Sequence, residues 1–195
     1  MDSRDVNRLM SVLVELDKLK GVLRQTYVLA GQRRENSAEH SWHTATTLIM
    51  LIELTEMEID RSRLLEMALV HDICEIDHGD TSIYARDQAG KHKQESACMD
   101  RICALHPDLL SRFRDLWEEY EEQATPESRL LKVADRILPF LLNIASEGLS
   151  WREDGIKKSQ VIAVHQPVKR VMPELFSWME IQIDQAVAKG WLLNA

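Results

Sequence analysis

Several features that would direct this sequence of 195 residues to a membrane, a secretory route or a nucleic acid are missing. No apolar run approaches the roughly 20 residues that a membrane-spanning helix needs. The N-terminal segment MDSRDVNRLMSVLVELDKLK carries both signs of charge and has no apolar secretory core. A formal net charge of −8 disfavours a surface for nucleic-acid backbone. We therefore expect neither a membrane nor a nucleic-acid polymer as a partner.

Cysteine, glycine and proline are also scarce. The cysteines, Cys74, Cys98 and Cys103, are odd in number and form no Cys-x-x-Cys pair, so we expect reduced thiols and a cytoplasmic location. With only seven glycines and five prolines, long disordered or repetitive segments are not expected. Apolar residues make up 45% and charged residues 29% of the chain, which is typical of a soluble globular domain.

A helical hydrophobic period runs along almost the whole chain. Apolar residues recur at intervals of three and four, which predicts helices over residues 6–22, 37–56, 61–75, 91–105, 109–123, 126–148 and 173–190. Segments 76–84 and 148–156 read as loops, and no segment alternates with a period of two. We predict an all-α fold of six to eight helices in one domain, residues 1–195. The C-terminal helix is expected to pack on the core or in a dimer interface.

Histidines and carboxylates lie inside or beside these apolar stretches, which is costly unless they are paired or bind a metal. His71 and Asp72 follow an apolar helical face, and His40 and His43 share a face three residues apart. Asp135 lies on the apolar stripe of RLLKVADRILPFLLN, where it must be neutral, paired or ligating. Taken singly, each feature is explained as well by a solvated pair or a salt bridge. Together they supply two histidines and two carboxylates.

Such a mixed ligand set suits Mn²⁺, Co²⁺, Fe²⁺ or Zn²⁺, and a bound divalent cation polarises a phosphoryl oxygen and lowers the pKa of water. Glu75 lies one turn beyond His71, where it can activate or position an attacking water. Asp80 follows Gly79 on a loop that can fold over the same site, to protonate a leaving oxygen or hold the nucleophile. The alternative is that EIDHGD is only an acidic, solvated loop.

The order His … His-Asp … Asp resembles the HD superfamily of metal-dependent phosphohydrolases. Within it, RRENSAEHSWH, HDICEIDHGDT and ESRLLKVADRILPFLLN are similar to the branch that contains the bacterial 5′-deoxynucleotidases and their eukaryotic relatives. The similarity extends over about residues 19–151, the expected metal-site core. It implies a homodimer in which one divalent metal is bound by His40, His71, Asp72 and Asp135. It also implies that Glu75 and Asp80 assist attack on the phosphate.

The same family places an arginine and a neighbouring tryptophan upstream of the first metal histidine, where they contact phosphate and sense the absence of the ribose 2′-hydroxyl. This chain has LRQTYVLAG there, so Arg24 and Tyr27 are the candidate substrate-binding residues. The absence of a tryptophan leaves the preference for deoxyribose open. The resemblance predicts metal-dependent hydrolysis of (deoxy)ribonucleoside 5′-monophosphates to nucleoside and phosphate.

Two other functions remain open from the sequence. Some HD relatives hold two metals through additional histidines, and His78, His92 and His106 lie in the corresponding interval. A phosphodiesterase, another HD-type phosphohydrolase or a dinuclear oxygenase is therefore one alternative. The other is a non-catalytic, metal-containing module that binds a nucleotide. Glu75 and Asp80 speak against this module, because a closed structural metal site has no use for them.

Overall fold

The computed structural model describes residues 2–29, 31, 33–84 and 88–195, with only the backbone of residues 88 and 89. Two short antiparallel strands, β1 (Leu23–Tyr27) and β2 (Arg34–Asn36), and two 3-10 helices, Lys18–Gly21 and Ile73–Ile76, accompany the α-helices. The predicted all-α class is confirmed. In the described ranges the α-helices are α1 (Ser3–Asp17), α2 (Ser37–Ile52), α3 (Arg61–Val70), α4 (Gln88–Leu105), α5 (Pro107–Glu122), α6 (Pro126–Ala145), α7 (Leu149–Glu153), α8 (Lys158–Val164), α9 (Gln166–Val171) and α10 (Pro173–Ala188).

The helices of the described ranges outnumber the predicted six to eight because residues 149–171 form three short ones. Helices α7, α8 and α9 have five, seven and six residues, too few to show a repeated apolar period. The first of them replaces the loop predicted at GLSWREDGI. It begins after Gly148, whose φ of +69° and close approach to Trp191 leave no room for a side chain.

The strand pair is a second difference from the sequence-based prediction. Leu23 pairs with Asn36 and Tyr27 with Arg34. Burial alternates along β1, but the inward positions are Arg24 and Thr26. A hydrophobic alternation is therefore absent, and the strand cannot be read from the apolar pattern. Strand β1 therefore places Arg24 in the interior.

Two helix boundaries position the functional motifs. Asn36 caps α2 by accepting a hydrogen bond from the Glu39 amide at 2.9 Å, and the Glu39 carboxylate accepts from the Asn36 amide. The two bonds form a reciprocal capping box. The helix predicted over residues 61–75 instead ends at Val70. His71 terminates it, since its Nδ1 lies 2.8 Å from the Ala68 carbonyl and satisfies an oxygen of the last turn.

Helices α2, α3, α5 and α6 pack against one another around the core. Helix α10 packs on α8 and α9, and its residues Phe176, Met179 and Ile183 are buried within the chain. The apolar stripe of the C-terminal helix is therefore core. In the described ranges no helix has both the length and the apolar character needed to cross a membrane.

Candidate metal centre

Three segments bring four predicted ligands to one point in the core. Helix α2 supplies His40, the turn after α3 supplies His71 and Asp72, and α6 supplies Asp135. Ligand atoms of His40, His71 and Asp72 all lie within 4.8 Å of one another. His40 Nε2 lies 3.2 Å from Asp135 Oδ1. All four residues are at most 9% exposed, so protein groups or a cation must replace their hydration.

The His71 ring presents a nitrogen lone pair to this point. Because a carbonyl oxygen only accepts, the contact with Ala68 places the hydrogen on Nδ1. Burial lowers the pKa of His71 and keeps the ring neutral. Nε2 is buried with no hydrogen-bond partner in the described part of the chain, and it lies 3.3 Å from Asp72 Oδ1. Two acceptors facing each other fit a cation between them.

The carboxylates beside His40 stabilise positive charge at this position. Burial and the Arg24 charge lower the pKa of His40, but Asp135, Glu35 and Asp72 outweigh them and raise it to about 9. Glu35 Oε2 lies 3.6 Å from His40 Nδ1. The ring therefore carries a proton at neutral pH, and a divalent cation can supply that charge instead, since a ligating histidine must be neutral.

Asp135 is fixed by partners on two helices. The Tyr120 hydroxyl donates to Asp135 Oδ2 at 2.7 Å and accepts from Lys132 Nζ at 2.6 Å. Burial raises the pKa of Asp135, but Lys132, His40 and Arg136 outweigh it and hold that pKa well below its usual range. Asp135 is therefore an ionised carboxylate held in one orientation, as a ligand needs to be.

Arg24 lies in the middle of the acidic groups. Its Nη1 is 2.8 Å from Asp72 Oδ2, 3.7 Å from Asp80 Oδ1 and 3.9 Å from Glu75 Oε2, while its Nε is 3.6 Å from Glu35 Oε2. Burial lowers the pKa of the guanidinium, but Asp72, Asp80, Glu75 and Asp135 raise it above its usual value. Strand β1 thus supplies a fixed cation that neutralises part of the cluster.

Glu75 and Asp80 both lie in this cluster. The Ser37 hydroxyl donates to Glu75 Oε2 at 2.6 Å, and burial together with Asp72 raises the pKa of Glu75 well above its usual value. Asp80 Oδ2 accepts from the Gln25 amide at 3.0 Å, which ties the loop after Gly79 to β1. Both carboxylates are thus held beside the predicted ligands.

Two adjoining cavities open on these groups. The first, called here the metal-side cavity, includes His71, Asp72 and Asp135 in its lining. The second is called the apolar-side cavity. Arg24 and Asp80 line both. The remaining walls of the apolar-side cavity include Tyr84, Pro139, Phe140, Asn143, Ser150, Ile156 and His165.

The sequence profile of the HD domain matches residues 16–176. The chain belongs to the HD-domain family. It is 30% identical over 148 residues to the 5′-deoxynucleotidase HDDC2 of Xenopus laevis, covering 74% of this chain and 72% of that protein. It is 30% identical over 184 residues to the 5′-deoxynucleotidase hdd1 of Schizosaccharomyces pombe, covering 91% and 83%.

A solved HD-domain relative agrees over nearly the whole length. The structure of a "predicted metal-dependent phosphohydrolase" from Magnetospirillum magnetotacticum matches with a TM-score of 0.87 at 36% identity, over 96% of this chain and 98% of that one. These matches imply a divalent metal in the present HD domain. His71 Nε2, which faces Asp72 Oδ1 and has no hydrogen-bond partner in the described ranges, fits such a metal.

Several residues around this HD-domain site are not predicted from the sequence. Tyr120, Lys91 and Glu95 line the metal-side cavity, and Glu35 lies beside His40. Tyr120 belongs to the predicted fifth helix, where an aromatic residue is most simply a core residue. Glu35 lies within the motif RRENSAEHSWH, which also contains His40. This proximity in sequence is the signal that could have indicated Glu35 as a site residue.

Tyr27 is not brought to the HD-domain cavities. It lies on the face of β1 opposite Arg24, and its hydroxyl donates to Glu153 at 2.9 Å. The histidines considered for a second metal are also elsewhere: none of His78, His92 and His106 lines the described metal-side cavity. His92 faces Glu121 at the surface, and the ring nitrogen of His106 caps α5.

Proposed function

We propose that this HD-domain protein hydrolyses deoxyribo- and ribonucleoside 5′-monophosphates to nucleoside and phosphate in a metal-dependent reaction. The observation that carries the proposal is His71 Nε2, which has no hydrogen-bond partner among the described residues and faces Asp72 Oδ1, in a cavity that Glu75 and Asp80 also line. The identity to two 5′-deoxynucleotidases supports the substrate class. A closed structural metal site would have no adjoining cavities.

In this proposal the metal is one divalent ion held by His40, His71, Asp72 and Asp135. Nitrogen and carboxylate oxygen donors favour Mn²⁺, Co²⁺, Fe²⁺ or Zn²⁺. When bound, such an ion polarises a phosphoryl oxygen and lowers the pKa of water. The chain's own contribution is to hold Asp135 through Tyr120 and the His71 ring through Ala68, so that the donors are oriented in advance.

Glu75 and Asp80 divide the proton transfers. Ser37 occupies Glu75 Oε2, which leaves Oε1 to accept a proton from the water that attacks phosphorus. The raised pKa of Glu75 makes it a better base than an ordinary glutamate. Asp80 lines both cavities and is the residue to which we assign delivery of a proton to the nucleoside oxygen when the phosphate–O5′ bond breaks.

Arg24 positions Asp72 and Asp80 and turns its remaining N–H groups to the phosphate. The nucleoside lies in the apolar-side cavity, between Tyr84 and Phe140. Since Gln25, not a tryptophan, follows Arg24 in that wall, we expect only weak discrimination between deoxyribose and ribose. Tyr27 acts on the other face of β1, where it supports the strand through Glu153.

The remaining predictions concern assembly and location. We propose one HD domain over residues 1–195, a homodimer and a cytoplasmic location. Because the α10 stripe is buried within the chain, the dimer surface must use other residues. The candidate for this surface is the outer face of α2, which exposes Trp42, Ile49 and Met50. Light scattering after size-exclusion chromatography measures the oligomeric state.

The substrate class is tested by phosphate release from matched 5′-monophosphates, 3′-monophosphates and a phosphodiester. We expect release from 5′-monophosphates only, with a loss of about 100-fold or more in Glu75→Gln, a proton-transfer residue. Glu66→Gln, an exposed carboxylate paired with Arg112, is the matched control and should retain full activity. Preferential cleavage of the diester would instead establish the phosphodiesterase alternative.

A further inference from the structure

Among the residues that the structure describes, four cationic side chains line the metal-side cavity: Arg24, Lys91, Lys132 and Arg136. A phosphate dianion entering this cavity needs positive charge that carboxylates have not already neutralised. The partners of each cation therefore decide which one is available to bind an anion.

Three of the four cations are engaged with protein carboxylates. Arg24 Nη1 lies 2.8 Å from Asp72 Oδ2, with Glu75 and Asp80 within 4 Å. Lys91 Nζ lies 3.3 Å from Glu95 Oε1. Lys132 Nζ donates to the Tyr120 hydroxyl and lies 3.5 Å from Asp135 Oδ2.

Arg136 differs from these three. Within the described residues no carboxylate lies within 4 Å of its guanidinium. In the same part of the chain the Nε atoms of Arg136 and Arg24 are both buried with no hydrogen-bond partner, but Arg24 Nε lies 3.6 Å from Glu35 Oε2. A buried donor without an acceptor costs free energy unless a ligand satisfies it. The backbone beside it is fixed, because His165 Nε2 lies 3.2 Å from the Arg136 carbonyl.

Arg136 lines the metal-side cavity. Arg24 and Asp80 line both this cavity and the apolar-side cavity, so the two cavities adjoin. A nucleotide whose nucleoside lies in the apolar-side cavity would place its phosphate in the metal-side cavity, with Arg136 in the wall.

We propose that Arg136 is the principal phosphate-binding cation of the site, with Arg24 serving mainly to hold the carboxylates. The identification of the phosphate as that of a nucleotide rests on the proposed function. A guanidinium matches two phosphate oxygens with two parallel N–H bonds, which an ammonium group cannot do. Arg136 thereby positions the phosphoryl group without contributing to proton transfer.

The test measures binding of inorganic phosphate to the metal-loaded protein by titration calorimetry. Arg136→Gln should raise the dissociation constant for phosphate by about tenfold or more, as expected when charge-assisted hydrogen bonds are removed. Arg136→Lys keeps the charge but loses the paired geometry, so we expect a smaller increase of about threefold or more. Arg112→Gln, an exposed arginine paired with Glu66, should bind phosphate as the wild type does.

Turnover separates a phosphate contact from a general structural role. Arg136→Gln should raise KM more than it lowers kcat, and should raise the inhibition constant for phosphate but not that for the nucleoside. Unchanged phosphate binding in Arg136→Gln would overturn the proposal. If that variant does not fold, as judged by its melting curve, unchanged binding in Arg136→Lys would do so. Absence of phosphate binding to the wild type would also overturn it. Phosphate bound through Arg136 without hydrolysis of any nucleotide would refute only the proposed function.

Discussion

The guanidinium of Arg24 lies 2.8 Å from Asp72 Oδ2, so the first strand contributes a buried counter-charge to a predicted metal ligand. Arg24 and Asp72 are 48 positions apart in the sequence, so this contact joins β1 to the turn after α3. It lets Asp72 remain ionised although this residue is only 9% exposed, because the neighbouring cation offsets its lost hydration.

Replacement of Arg24 by methionine should destabilise the metal-free protein strongly. The variant leaves Asp72, Glu35 and other carboxylates buried without their shared cation, for which we expect a loss of about 3–5 kcal/mol. Urea unfolding measures the change. Arg33→Met removes an exposed pair with Glu39 and should have little effect on the free energy of unfolding. Equal, small losses in both variants would contradict the role assigned to Arg24.

The hydroxyl of Tyr120 should matter for metal affinity. Tyr120→Phe removes the donor to Asp135 Oδ2 and keeps the ring, so we expect metal binding to weaken about 10- to 100-fold. Competition with a fluorescent chelator measures the affinity. Tyr27→Phe is the control, since that hydroxyl bonds to Glu153 away from the cavities. A wild-type affinity in Tyr120→Phe would refute this outer-sphere role.

A methyl group at position 148 should be poorly tolerated. A Cβ there would lie 2.6 Å from the Trp191 carbonyl oxygen, at a φ of +69°. Gly148→Ala should therefore lose about 2–4 kcal/mol, from strain together with displaced backbone. Gly190 has a φ of +74°, but no atom of the described residues lies within 4 Å of an added Cβ, so Gly190→Ala should lose only about 1 kcal/mol. Thermal melting compares the two, and similar melting temperatures would argue against close packing at Gly148.

The carboxylate of Glu119 links three helices and should make stability depend on pH. Burial raises the pKa of Glu119, but hydrogen bonds from Arg63 and Thr125 outweigh it and lower that pKa below 4.5, the ordinary value. Ionised Glu119 therefore stabilises the fold above pH 4.5, and this contribution is lost as the pH falls through the folded pKa.

Glu119→Gln should be less stable than the wild type at pH 7, by at most about 1 kcal/mol because Arg63 is partly exposed. The difference should shrink as the pH falls below 4.5. Unfolding in denaturant across this pH range measures it. A difference that stays constant with pH would show that the carboxylate charge contributes nothing.

Features carried by local patterns could be predicted from the sequence. Asn36 and Glu39 give the start of α2 because both halves of the capping box lie within one turn. The end of α3 could not be predicted, because it depends on the His71 side chain replacing a helical hydrogen bond at Ala68. The hydrophobic pattern also did not predict the interior position of Arg24, since a charged residue gives no apolar alternation. Only the family resemblance named Arg24 as a site residue.

The candidate site shows the same division. His71 and Asp72 form a recognisable sequence motif, whereas Tyr120 reaches Asp135 only through the packing of α5 on α6. Contacts between separate helices leave no periodic signal in a single sequence. The available charge of Arg136 was also unpredictable, because it depends on which cations have found carboxylate partners in the folded chain.

The most direct test of the account is phosphate release from matched deoxyribo- and ribonucleoside 5′-monophosphates of one base. The protein is first stripped of metal with a chelator and then supplied with Mn²⁺, Co²⁺ or Zn²⁺, and Asp72→Asn is measured in parallel. We predict no release from stripped protein, restored release with at least one ion, and almost none from Asp72→Asn. Equal release from stripped and metal-supplied protein, or full activity in Asp72→Asn, would contradict a metal-dependent phosphohydrolase built on this site.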